Sequence, residues 1–140
     1  MKILLILMSL IYTLMAVDAH DAAFALDFED NYKTALEKAK KEKKTLMLVI
    51  VQNPCPYCSA LVEETFEDAA VKKALDNYVS VIIDKKGEMP EDFRVPAVPM
   101  TFFIDPKIEK SIYKSLGYSD AIDFVKILEL VNTLGVRKIK

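Results

Sequence analysis

The sequence predicts an α/β domain built on a central mixed sheet of about four strands flanked by helices. Three observations carry this. Two strand-length apolar runs, 45–52 and 78–84, each follow a helical pattern. That alternation implies a right-handed crossover and parallel strands. A third apolar run, 100–104, is followed by the Asp105-Pro106 turn and a partner run at 111–116, so a hairpin adds antiparallel strands. At 140 residues, with 52% hydrophobic and 29% charged side chains, the chain is one domain. It is large enough to bury a core without disulfide staples.

The elements follow in order. Lys2 precedes the largely apolar run Ile3–Val17, and Val17-Asp18-Ala19 sets small residues at −3 and −1 of a cleavage site. Residues 1–19 are therefore expected to be a signal peptide, with the mature domain spanning 20–140. An uncleaved membrane anchor is the alternative, although 15 apolar-run residues are short for a bilayer span. Residues 20–28 read as a short leader. From Asn31 to Glu42, Tyr32, Ala35, Leu36 and Ala39 recur at i, i+3, i+4 and i+7, one face of an amphipathic helix. The lysines from Lys38 to Lys44 then form a solvated face at its C-terminal end, where cations suit the helix dipole.

The run 45-TLMLVIVQ-52 reads as a central strand buried on both faces, broken by Asn53-Pro54. Cys55-Pro56-Tyr57-Cys58 comes next, with a helical stretch from Ser59 and a second short helix over 68–75. Tyr78–Asp84 is the next strand, followed by a polar loop and a helical turn near Glu91–Val95. After the hairpin, Ser119 is expected to cap a final helix. Ile122, Val125, Leu128, Val131 and Leu134 form its expected buried stripe, and Gly135 is expected to stop it.

Composition excludes several functions. The 19 basic and 21 acidic residues leave a net charge of −2, which does not suit a nucleic-acid binder that works by attraction to phosphate. The single histidine, His20, lies near the N-terminus, so mechanisms that need an internal His base lack one. The two cysteines cannot build a four-cysteine zinc site within one chain.

The chemistry lies in Cys55 and Cys58. Cys55 is expected at the end of the buried strand, where unpaired helix N–H groups and the dipole favour a thiolate. The first Cys of such motifs titrates at about 3.5 to 7.5 rather than near 8.5. Pro56 suits a first-turn position because its missing N–H costs nothing there. Cys58, one turn later, can attack a mixed disulfide on Cys55, which is the minimal machinery of thiol–disulfide exchange. A structural staple gains little from so short a loop. A two-thiolate copper(I) site is an alternative. Glu63, Glu64 and Glu67 read as surface carboxylates, Asp84 and Lys85 as a solvated loop, and Phe102 and Phe103 as core.

Over about residues 29 to 134 the chain resembles the thioredoxin-like family, in particular its small secreted bacterial thiol–disulfide oxidoreductases of the thioredoxin-related periplasmic kind. The likeness rests on CPYC after 46-LMLVIVQ-52, on Val98-Pro99 before 100-MTFFI-104, and on the lead-in 34-TALEKAKKEKKTLML-48. It implies a cis Val98–Pro99 bond with Pro99 beside the cysteines and the Val98 backbone pairing with substrate. Three positions depart from the family pattern: Pro54 where Trp is frequent, Val49 where thioredoxins proper carry a buried acid, and Met100 where Thr is usual. These argue against a housekeeping thioredoxin role. The 14 residues between Asp84 and Pro99 leave no room for the helical insertion of disulfide-forming oxidases.

The resulting expectation is an exported, periplasmic protein-disulfide oxidoreductase acting as a reductant. Cys55 is the nucleophile and Cys58 the resolving thiol, Pro56 and Tyr57 tune the motif, and Val98 and Pro99 shape the substrate groove. No cofactor and no metal are needed. The expected partners are disulfide-containing protein substrates and a membrane electron-donor protein, with no nucleic acid, and the chain is expected to be a monomer. The alternatives are a copper(I) carrier or partner-docking module using the same motif, and a disulfide-forming oxidant.

Overall fold

The computed structural model describes residues 18–137; all but the last two residues of the expected signal peptide, 1–19, lie outside them. The elements are α1 (Ala19–Leu26), α2 (Tyr32–Glu42), β1 (Thr45–Val51), α3 (Pro56–Ala60), a π-helical turn (Leu61–Thr65) and α4 (Ala69–Leu75). Then come β2 (Tyr78–Asp84), a 3₁₀ turn (Glu91–Phe93), β3 (Met100–Asp105), β4 (Lys110–Leu116) and α5 (Ala121–Arg137). The sheet runs β2-β1-β3-β4, with β1 parallel to β2 and antiparallel to β3, and β3 antiparallel to β4. This is the expected mixed four-stranded sheet flanked by helices.

Period-two alternation along the strands divides the core into two layers. Met47, Val49, Val51, Ile82 and Phe103 face α3, α4 and α5, where Phe66, Phe124 and Leu128 complete the packing. Leu46, Leu48, Ile50, Val81 and Phe102 face α2, which contributes Tyr32, Ala35, Leu36 and Ala39. β1 is central, and Leu46 to Val51 are all buried. Its continuous apolar run is what a strand covered on both faces requires. Phe102 and Phe103 are both core residues.

The N-terminal segment departs from the expected leader, because residues 19–26 form α1. Asp18 caps it by accepting from His20 N and Asp21 N, and Asp27 ends it at φ 56°. Neither signal stands out in the sequence: the cap falls within a segment that also reads as a processing site, and the left-handed stop is not a glycine. Ala22 and Ala23 bury α1 against the first core layer. Beyond α1, Glu29 bridges to the outer edge of β2, with Glu29 N donating to Ser80 O at 2.9 Å and Ile82 N donating to Glu29 O at 3.0 Å. Lys38 pairs with Glu29 at 2.7 Å, and His20 Nδ1 lies 2.7 Å from Asp30. Among the described residues β4 has no strand on its outer side, and its register with β3 shifts between Phe103 and Ile104.

α5 corrects three further expectations. Its cap is Asp120, whose carboxylate accepts from Asp123 N at 2.9 Å, not Ser119. Its buried face is Phe124, Leu128 and Val131, while Ile122 is 71% exposed. Steps of three residues drift about 60° each around a helix, so a stripe running 122, 125, 128, 131, 134 cannot stay on one face. Gly135 does not stop the helix, which continues to Arg137. A Cβ there would stand 3.8 Å from Thr45 Oγ1, an ordinary contact.

Candidate active site

The site forms where β1 ends. Asn53–Pro54 is a cis peptide bond, a feature the sequence does not announce. Cys55 follows in extended conformation as the N-cap of α3, and Pro56 occupies the first turn. The helix therefore begins at Pro56 rather than at Ser59. Proline fits because it presets the helical φ and has no N–H to lose. Cys55 and Cys58 are joined as a disulfide with their Cα atoms 5.2 Å apart. Cys58 N donates to Cys55 Sγ at 3.2 Å, and Ser59 N donates to Cys55 O at 3.1 Å. The amide that ordinarily donates to an N-cap side-chain oxygen here donates to sulfur. Cys58 is fully buried, Cys55 keeps 9% of its surface exposed, and Tyr57 between them is 67% exposed.

The second wall is the segment entering β3. The Val98–Pro99 bond is cis. Ile50 lies opposite Met100, so extending that register by one residue places Pro99 opposite Val51, four residues before Cys55. Pro99 is buried, and Val98 packs on the cluster that contains both cysteines. Pro99 O accepts from Gly117 N at 2.8 Å, whereas no backbone hydrogen bond joins Val98 to the other described residues. Gly117 has φ +87°, a conformation that residues with a Cβ rarely adopt.

The charged residues near this end have structural partners. Asp84 accepts from Lys86 N at 2.8 Å. Lys85 Nζ donates to Pro96 O at 2.7 Å, and Arg94 donates to Lys85 O and Gly87 O, which ties down the loop before Val98. Glu67 pairs with Lys72. Glu64 accepts from the Tyr118 hydroxyl at 3.1 Å, and that bond to a carboxylate pushes the Tyr118 phenol above its ordinary value. Thr65, which sequence reasoning passed over, is fully buried and donates to Ser119 O at 2.6 Å. No sequence signal identifies it, because its acceptor lies 54 residues away. Among the described residues no group of three or more His, Cys, Asp or Glu is placed to hold a metal ion.

The family model for the thioredoxin-like domain matches residues 32–132. The chain belongs to the thioredoxin-like family. It is similar to a thioredoxin from Thermus thermophilus, with TM-score 0.68 and 24% identity over 77% of this chain and 88% of that one. The oxidised C-terminal domain of Neisseria meningitidis DsbD gives TM-score 0.60 and 20% identity over 74% of this chain and 97% of that one. These likenesses are likenesses of fold. By sequence, the thiol:disulfide interchange protein DsbD of Campylobacter jejuni is 25% identical over 119 residues, 81% of this chain and 21% of that protein. Rat spermatogenesis-associated protein 20 is 38% identical over 69 residues, 49% of this chain and 8% of that protein. Anterior gradient protein 2-B of Xenopus laevis is 28% identical over 88 residues, 59% of this chain and 51% of that protein. The chain thus spans about half or less of the curated relatives it matches. Family, fold and the paired cysteines of this thioredoxin-like chain together support a protein-disulfide oxidoreductase.

Proposed function

We propose that this chain is an exported reductant of protein disulfides, periplasmic in a bacterial cell. The observation that carries the reading is the pairing of Cys55, which keeps 9% of its surface open at a helix N-cap, with a fully buried Cys58 one turn later. In the reduced protein, the Cys55 thiolate attacks one sulfur of a substrate disulfide and displaces the other as a thiolate. Cys58 then loses its proton and attacks Cys55 Sγ, which closes the Cys55–Cys58 bond and releases the second substrate thiol. Two electrons and two protons pass from the dithiol to the substrate. A membrane-bound dithiol donor resets the pair, so no further cofactor enters. The unpaired Val98 backbone beside buried Pro99 suits an extended substrate segment, which would bind as an added strand. Pro56 presets the motif's first turn, and exposed Tyr57 meets the substrate. The apolar run Ile3–Val17 supports export, and the short link from Asp84 to Pro99 supports a reductant over a disulfide-forming oxidant.

The test is the equilibrium of Cys55 and Cys58 with glutathione, read by alkylation and mass, together with dithiothreitol-driven insulin reduction. A potential near the thioredoxin value of about −270 mV with insulin turnover supports the reductant. A potential near −120 mV assigns the chain to disulfide formation instead. Tight copper(I) binding with no turnover assigns it to metal carriage.

A further inference from the structure

The short segment between the hairpin and the last helix touches both walls of the site. Gly117 N holds the Pro99 carbonyl at 2.8 Å. The next residue, Tyr118, donates its hydroxyl to Glu64 at 3.1 Å, and the carbonyl of Ser119 accepts from Thr65 Oγ1 at 2.6 Å. Glu64 and Thr65 are adjacent residues of the π-helical turn that continues the cysteine helix. A threonine within a helix ordinarily turns its hydroxyl back to the carbonyl of the preceding turn. Thr65 is fully buried and bonds outward instead, across 54 residues of sequence. The turn is π-helical, with Phe66 N donating to Leu61 O five residues back at 3.0 Å. Single π turns inside helices concentrate at functional positions. Asp120, next along the chain, anchors the segment as the cap of α5.

We propose that Gly117–Ser119 is a strut that fixes the spacing between the substrate-pairing Val98–Pro99 backbone and the Cys55/Cys58 sulfurs, and that Thr65 is the positioning residue that locks it. This rests on the reading of Val98 as the substrate-pairing backbone. Thr65 touches neither sulfur. It acts by holding Ser119, and through Gly117 the Pro99 carbonyl, at a set distance from the helix that carries the cysteines. A peptide disulfide has to bind both walls at once. A small disulfide needs only the sulfurs.

The experiment compares exchange of the reduced protein with a disulfide-bonded peptide and with hydroxyethyl disulfide. Thr65→Val keeps the shape and removes the donor. The expected result is about a tenfold rise in KM for the peptide with kcat little changed, because altered spacing weakens the binding of a peptide that needs both walls and leaves the sulfurs as they are. Exchange with hydroxyethyl disulfide is expected to stay within about twofold. Thr65→Ser, which restores the hydroxyl, returns the peptide KM to the wild-type value. Tyr118→Phe removes the second link at a half-exposed position, so it reports on the strut if Thr65→Val does not fold, and it shifts the peptide KM in the same direction. Equal losses on both disulfides, or no rescue by Thr65→Ser, would show a purely structural role and overturn the proposal. So would a Thr65→Val protein that matches wild type on the peptide. A wild-type protein that fails to exchange with either disulfide overturns the proposed function itself, an outcome distinct from those.

Discussion

After reduction, Cys55 and Cys58 are expected to differ sharply in reactivity, and the structure sets the size of the difference. The Cys58 amide donates to Cys55 Sγ at 3.2 Å, and Cys55 sits at the N-cap, where the helix dipole is positive. A hydrogen bond to a charged acceptor contributes about 1.5–3 kcal/mol, against about 0.5–1.5 for a neutral one. The dipole adds about 0.3–1 kcal/mol. The Cys55 thiolate is thus stabilised, relative to that of an unperturbed cysteine, by roughly 1.3–2.5 kcal/mol. Since about 1.4 kcal/mol is a factor of ten, the reactive fraction at Cys55 near pH 6 is raised on the order of tenfold or more. Burial works the other way for Cys58, which is fully buried in the core layer that also holds Leu61, Val62 and Phe66. The assay is iodoacetamide labelling of the reduced protein at pH 6, with each cysteine followed by peptide mass. Cys55 is expected to label at least tenfold faster. The companion test uses single variants: Cys58→Ser accumulates a mixed disulfide with substrate, and Cys55→Ser does not. Equal labelling rates, or faster labelling of Cys58, would refute the assignment of nucleophile and resolving thiol.

Two buried tyrosines make a matched pair. Tyr78 donates to Leu128 O at 2.7 Å, so Tyr78→Phe removes that bond while the carbonyl stays in the α5 ladder, and is expected to cost about 0.5–1.5 kcal/mol in urea unfolding. The Tyr32 hydroxyl is buried without a partner among the described residues, so Tyr32→Phe is expected to be neutral or stabilising in the same experiment. Burial pushes both phenols up to about 12. The unfolded chain releases these protons near pH 10 while the folded chain holds them, so stability is full below pH 10 and falls as pH rises toward 12. Unfolding midpoints across that window, with phenolate absorbance, check this; a flat profile would contradict it. A chain beginning at His20 lacks the Asp18 cap of α1 and is expected to be about 0.5–2 kcal/mol less stable than one beginning at Asp18. Identical denaturation curves would show that α1 does not depend on its cap.

Much of the fold is legible because it is written in local patterns. The continuous apolar runs of β1 and β2, the i, i+3, i+4, i+7 face of α2 and the Asp105-Pro106 turn each declare themselves within about a dozen residues. The cysteine pair is legible for the same reason: a CxxC at a strand end brings its own helix N-terminus. What stays hidden depends on distant partners or on unmarked backbone. α1 has a cap within a targeting-like stretch and a stop at Asp27 in place of a glycine. α5 shows that an apolar count without the right angular step selects the wrong face, so Ile122 displaces Phe124 in the reading. Thr65 and Tyr118 look like ordinary polar residues until the fold brings residues 64–65 and 118–119 together. The cis bond before Pro54 carries no signature beyond the proline itself.

The strap formed by Glu29 along the outer edge of β2 leaves the sheet asymmetric. Among the described residues only β4 offers a whole run of open backbone, and Lys110 and Lys114 place positive charge along it. Addition of one strand there, from a second copy or an extended peptide, leaves no equivalent edge on the opposite side. Pairing of two copies through β4 closes on itself, because each molecule spends its one open edge on the other. Growth of a fibre by strand stacking needs two open edges per subunit. Glu29, just beyond α1, therefore occupies the middle of the β2 edge that a second added strand would need.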